Sequence, residues 1–315
     1  GEARAEKTYE ILRKTDIAVL VVDSTAGLSA GDTALIETFR QKKLPYIVCY
    51  NKSDLASVTL GGDNELSVCA LTGEGIEALK NRLAAFAVKN ERTIVTDLFA
   101  AGDIVILVTP IDEAAPKGRL ILPEQLVLRE LLDIHALPVV VQETELAAAL
   151  SSLKTPPKAV ITDSQVFGFV KSIVPENVLL TSFSILMQRY KGVLDTALRG
   201  AEALDTLSDG DTVLVCEGCT HHRQCGDIGT VKLPAWIRKY TGKNLTFEFT
   251  SGGTFPKDLS PYALVLHCGG CMLNEKEMRF RQNEAESKHV PFGNYGLVIA
   301  KMNGILDRSL EILKK

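Results

Sequence analysis

No stretch of this 315-residue chain is apolar over the ~20 residues that a bilayer-spanning helix needs. Its apolar runs, such as 104–108 and 263–266, have the length of strands. No basic stripe stands out and the net charge is −4, which argues against nucleic acid as a main partner. No signal peptide opens the sequence, so the seven cysteines fit a reducing cytosol rather than a disulfide framework. No Gly-x-x-x-x-Gly-Lys-Ser/Thr occurs, and no Asp-x-x-Gly precedes the first strand-like run. These residues by themselves therefore offer no cradle for a triphosphate and its magnesium. What remains is a chain with a cytoplasmic profile, 46% apolar and 23% charged, of a length that usually holds two or three domains.

What is present is most pointed in two short motifs. They are Cys219-Thr220-His221-His222 and His267-Cys268-Gly269-Gly270-Cys271. Thiolates with nearby imidazoles are the ligand set of zinc or of an iron–sulfur cluster. The two-residue gap lets Cys268 and Cys271 turn onto one centre, and the glycines suit the tight backbone between them. Three thiolates fall one short of the four that usually saturate a four-iron cluster, so a histidine, a carboxylate or a small exogenous ligand would take the last iron. A zinc site closed by His221 remains an alternative reading of the same residues, as does a redox dithiol at Cys268 and Cys271.

The first third reads as a doubly wound α/β domain. Residues 16–23 form an apolar run typical of a buried parallel strand, a helix is expected at 30–42, and residues 44–50 form a second strand. That strand ends in Asn51-Lys52-Ser53-Asp54. The Asp54 carboxylate could accept from both N1–H and the N2 amine of guanine, a donor pair adenine lacks. Asn51 would brace neighbouring loops and the stem of Lys52 would cover the base. An ordinary turn is the bland alternative, since Asn, Ser and Asp favour turns. A third strand near 66–70 leads to Cys69-Ala70-Leu71 and a helix ending near residue 86. The triplet resembles the last guanine loop of small GTPases, usually Ser-Ala-Lys, with Ala70 keeping its backbone role. The expectation is a GTPase-like domain without its phosphate-binding half.

Residues 91–190 read as a second α/β unit with strands at 103–109, 137–141, 159–162 and 178–180. It has no catalytic cluster; His135 reads as a helix-end residue, and self-association is the leading role. A helix at 185–198 is expected to follow. Strands at 211–216 and 262–266 deliver the two cysteine motifs at their carboxyl ends, where an open α/β sheet forms its crevice. A helix at 274–286, a strand at 297–300 and a helix at 305–313 complete the expected order. Trp236 reads as core, and Cys216 and Cys225 as structural.

These motifs, together with 181–186 (Thr-Ser-Phe-Ser-Ile-Leu), Asp227-Ile228-Gly229 and Asn294-Tyr295-Gly296, resemble the [FeFe]-hydrogenase maturation GTPase family, HydF. The resemblance runs over essentially the whole chain. It implies three α/β domains: a partial small-GTPase-like domain at 1–90, a dimerisation domain at 91–190 and an iron–sulfur cluster-binding domain at 191–315. It implies a scaffold in which a [4Fe-4S] cluster anchors a [2Fe] precursor bound for apo-[FeFe]-hydrogenase. Carried over by position, Cys219, Cys268 and Cys271 are the cluster thiolates, and His221 and His267 are alternatives for an adaptable fourth ligand. Asn51, Lys52, Asp54 and Ala70 would read GTP, whose phosphates and Mg2+ need the half this sequence lacks; no catalytic residue for hydrolysis is assigned. The implied partners are a second copy of the chain, apo-hydrogenase and radical-SAM maturation enzymes, with neither nucleic acid nor membrane. The alternative from another class is a regulatory small GTPase with a C-terminal structural zinc site.

Overall fold

The computed structural model describes residues 11–12, 15–86, 92–111, 120–218 and 227–314. They belong to two compact units, Gly1–Glu91 and Arg92–Lys315. Both are mixed α/β with parallel sheets.

In the first unit, strand β1 (Ala18–Asp23), helix α1 (Ala30–Gln41), strands β2 (Tyr46–Asn51) and β3 (Glu65–Ser67), and helix α2 (Ile76–Phe86) succeed one another. The strands lie side by side in that order, with Asp23 level with Asn51 at their carboxyl ends. Helix α1 starts at a reciprocal capping box between Ser29 and Asp32. Its Ile36 packs with Val22, Val48 and Tyr50, and its Phe39 with Ala18 and Leu44. Strand β2 is the buried middle strand. Strand β1 departs from the expectation of burial on both faces, since Val19 and Val21 are exposed. It is an edge strand among the described residues, and α1 covers only the face carrying Ala18 and Val22.

The second unit begins with β4 (Ile104–Val108), α3 (Leu122–Asp133), β5 (Leu137–Val141), α4 (Leu146–Ser152), β6 (Ala159–Thr162), α5 (Phe167–Ile173), β7 (Leu179–Ser182) and α6 (Phe183–Tyr190). Their sheet runs β5-β4-β6-β7. Val105 to Val108 and all of β6 are buried, as a parallel strand covered on both faces must be. His135 follows α3 with a positive φ of 59°, a left-handed helix end. After α6 come α7 (Leu194–Glu202), β8 (Thr212–Glu217), α8 (Leu233–Thr241), β9 (Thr246–Ser251), β10 (Leu264–His267), α9 (Glu275–Ser287), β11 (Phe292–Asn294), α10 (Tyr295–Met302) and α11 (Leu306–Leu310). The second sheet runs β11-β10-β8-β9, again parallel.

Three expectations need correction. The helix expected at 185–198 is two helices, α6 and α7, because Gly192 takes φ +67° between them. The strand expected at 297–300 lies inside α10, and the strand is β11, just before it. Residues 295–300 are all buried, so their apolar run has no polar face from which a helical period could be read. Strand β9 is an addition to the expected order. A further finding concerns the boundary near 190, which separates two sheets but not two cores. Ile106, Val108 and Val160 of the first sheet share one core with Val213, Val215, Leu264 and Leu266 of the second, together with Leu297 and Val298 of α10. At the other face of the first sheet, Ile312 from the end of the chain packs with Val105, Leu107, Val127 and Leu131. Trp236 packs partly buried against the shared core, as expected.

Candidate functional site

In the second sheet the carboxyl ends of β8, β10 and β11 lie level: Cys216 pairs with His267, and His267 with Asn294. The next amide continues the ladder, Cys268 N–H donating to Cys216 O at 2.9 Å. This register brings the residue before Cys219 onto the other motif: Gly218 N–H donates to Cys268 Sγ at 3.1 Å. Gly270 N–H points at the same sulfur at 3.4 Å. Two backbone donors thus converge on one sulfur. Cys268 and Cys271 are both partly exposed and neither is in a disulfide. Gly270 turns the chain between them with φ +60°, and a Cβ there would meet Met278 Sδ at 2.6 Å. A side chain at that position would be strained by its conformation and would have to displace the Met278 sulfur.

Cys219, His221 and Cys225 lie outside the described residues. Among the described residues no three His, Cys, Asp or Glu side chains converge on a metal position. His267 is placed differently from a free ligand. Its ring is fully buried and stacks on Phe292, centroids 5.9 Å apart. Arg281 Nη1 lies 3.0 Å from its Nε2, and Cys268 O lies 2.9 Å from its Nδ1. Guanidinium can only donate, so Nε2 accepts and Nδ1 carries the proton given to the carbonyl. Burial, with the positive Arg281 beside it, pushes this imidazole down to about 3 and keeps it neutral. As placed, His267 has no lone pair left for a metal; it braces the cysteine loop from behind.

Arg281 is itself fully buried. Its Nε donates to Glu277 Oε1 at 2.9 Å and its Nη2 to Gly252 O at 2.8 Å, and its guanidinium lies over Phe255. Asn274 caps α9, its side chain accepting from Glu277 N–H at 3.0 Å. Asn294 performs the same service for α10 and also accepts from Ser184 Oγ at 2.9 Å, while its amide donates to His267 O at 3.3 Å. Glu277, Arg281, Lys191 and Gln188 carry no motif that sequence reasoning could have singled out. Glu277 and Arg281, four apart on a helix, look there like an ordinary surface pair, and only burial distinguishes them. Lys191 follows α6 and is 5% exposed. It donates to the carbonyls of Gly269 at 3.4 Å, Leu273 at 3.2 Å and, closest, Gly270. Burial pushes its ammonium below the usual lysine range, and the thiols of Cys271 and Cys268 push it back up. Gln188, one turn earlier on the same face as Ser184, is fully buried with neither amide atom hydrogen-bonded among the described residues. Cys216 sits in apolar surroundings that push its thiol up to about 11, in keeping with a structural role.

In the first unit, the residues expected to read a base do come together. Asn51 Oδ1 accepts from Ala70 N–H at 3.0 Å, tying the loop after β2 to the loop after β3. Cys69 Sγ donates to Asp54 Oδ1 at 3.1 Å. Lys52, with φ +66°, turns its ammonium to Asp23 Oδ2 at 2.5 Å. Asp23 also accepts from the amide and hydroxyl of Thr25. These bonds, led by the one from Lys52, hold its carboxyl down at about 2.

Two family models match the second unit: the hydrogen maturase F dimerization domain over residues 94–192 and the hydrogen maturase F tetramerization domain over residues 195–312. The chain belongs to the hydrogen maturase F family. The elongation factor Tu GTP binding domain matches residues 5–134, ahead of and overlapping the first of these. The cysteine motifs of this maturase chain thus fall in the segment matched for tetramerization, and Lys191 in the one matched for dimerization. Similar curated proteins include GTPase Der of Rhizobium leguminosarum bv. trifolii (strain WSM2304), 29% identical over 38% of this chain and 25% of that protein. Another is the tRNA modification GTPase MnmE of Laribacter hongkongensis (strain HLHK9), 30% identical over 25% of this chain and 18% of that protein. The maturase chain therefore spans a quarter or less of these relatives' length.

Proposed function

We propose that the protein serves [FeFe]-hydrogenase maturation as a scaffold whose cysteine site binds a [4Fe-4S] cluster and carries a [2Fe] precursor as cargo to the apo-enzyme. Cys219, Cys268 and Cys271 would hold three irons through their thiolates. When bound, the cluster supplies an iron without a thiolate, to which an exogenous or bridging ligand can attach. The donor set suits it. Cys268 sulfur is already hydrogen-bonded by two amides, and Gly270 makes the turn between Cys268 and Cys271. His221 remains the histidine candidate for the fourth position, His267 acting instead on the loop. The observation that supports this reading is the hydrogen bond from Gly218, the residue before Cys219, to the sulfur of Cys268.

A GTP-binding unit coupled to this site completes the reading. Asp54 would read the guanine edge and Asn51 hold the two loops together, while triphosphate and Mg2+ require groups outside these motifs. The segment matched for dimerization carries apolar side chains on its edge strand β5, where Leu137 and Val140 are exposed, in support of a homodimer. Radical-SAM maturation enzymes and apo-hydrogenase are the implied partners, in the cytoplasm. Iron and acid-labile sulfide after anaerobic reconstitution test the site. Wild type should take up about four irons, the stoichiometry of the cluster assigned here, and C219A, C268A and C271A should each lose most of that iron. Zinc in place of iron after strictly anaerobic preparation, or a full cluster in any cysteine variant, sinks the proposal.

A further inference from the structure

An ammonium has three N–H donors, a neutral amine two. Lys191 reaches three carbonyls of one loop, those of Gly269, Gly270 and Leu273, so the geometry fits the charged form. Among the described residues its partners are these carbonyls and no carboxylate, and residues 219–226 contain neither Asp nor Glu. A cation buried to 5% exposure without a counter-ion is costly, of order several kcal/mol for a buried ion in general. The side chains of Cys271 and Cys268, on the same loop, are the groups whose charge acts on it. Cys268 sulfur in turn accepts from the Gly218 and Gly270 amides. Amide donors and a buried cation thus converge on this loop.

We propose that Lys191 is the built-in counter-charge of the cysteine site, a positioning residue that shapes the Cys268–Cys271 loop and favours the more negative states of whatever metal group the thiolates hold. This rests on the reading of the cysteines as metal ligands. Each electron added to a thiolate-bound cluster makes it more negative, so a fixed ammonium beside it favours the reduced form. Lys191 stands at the end of α6, whose Ser184 bonds Asn294 at the neighbouring strand end. The segment matched for dimerization thus contributes a charged group to a site whose cysteines all lie in the other segment.

The test uses the full chain with Lys191→Arg, Lys191→Gln and Lys191→Met. Arginine keeps the charge, glutamine keeps donors without charge, and methionine keeps only bulk. Two readouts apply: Co2+ affinity of the apo chain by thiolate charge-transfer absorption, and reduction potential of the reconstituted cluster by paramagnetic resonance. K191R should stay within about threefold of wild type in both. K191Q and K191M should bind Co2+ at least tenfold more weakly. Their reduction equilibrium should move about tenfold toward the oxidised form, ~59 mV for one electron. Wild-type values in K191Q and K191M overturn the proposal, as does K191R following K191M. Should K191M not fold, the Arg and Gln pair decides. If wild type takes up no iron–sulfur cluster, the cluster reading fails, and the Co2+ series still decides the role of Lys191.

Discussion

The guanidinium of Arg281 donates to Nε2 of His267 at 3.0 Å, with both side chains fully buried. This contact joins α9 to the end of β10 and, through Nδ1 of the same ring, to the backbone of Cys268. A histidine that looks like a ligand in the sequence is thereby spent on holding the loop that carries Cys268 and Cys271. The cost of burying Arg281 is offset by Glu277, the Gly252 carbonyl and the face of Phe255.

Replacing Arg281 with Met should therefore destabilise the second unit by about 3–5 kcal/mol, because the buried Glu277 then loses its ion pair with Arg281. Replacing Glu277 with Gln in the same chain should recover part of that loss, as both charges are then gone. Urea unfolding followed by the fluorescence of Trp236, the single tryptophan, measures the cycle. Additive effects of the two substitutions would mean that the pair is not coupled.

Gly270→Ala should cost about 1–2 kcal/mol at the loop, since φ +60° is left-handed and its Cβ would press on Met278. Co2+ binding by the apo chain should weaken about tenfold. Gly269→Ala is the control, because a methyl group there would meet nothing within 4 Å and its φ is not positive. Equal affinities for the two variants would show that the loop turns elsewhere.

Val140→Lys, on the exposed edge strand β5, should reduce the mass seen by light scattering while leaving circular dichroism unchanged. The measurement belongs on the full chain. Residues 91–190 alone would lack Ile312, which fills the core beneath their sheet. An unchanged mass would place self-association on another face.

Asp23 offers a pH prediction whose sign follows from its partners. Its carboxyl lies at about 2 in the folded chain against 3.8 for the free group, so its contribution to stability is present above 3.8 and fades as pH falls toward 2. By carboxyl carbon chemical shift, Asp23 should still be ionised at pH 3. Lys52→Met should move its midpoint upward but short of 3.8, because the two bonds from Thr25 persist. A midpoint unmoved by the substitution would show that Thr25 alone holds it.

The sequence determined the α/β class, because apolar runs of strand length alternate with helical segments, and such a chain buries its strands in parallel sheets. It also determined two local loops. Asn51-Lys52-Ser53-Asp54 and the Cys-Gly-Gly-Cys turn depend on local spacing and backbone conformation, which neighbouring residues encode. Tertiary structure alone decided what buries the rest. Whether residues 297–300 are strand or helix depends on what surrounds them, since an apolar run covered on all sides has no polar face to reveal its period. Whether His267 meets a metal or an arginine depends on α9 packing behind β10, and whether Lys191 is a surface lysine or a buried cation depends on a loop far along the chain. Those outcomes rest on burial and on partners distant in sequence, which no local pattern of residues contains.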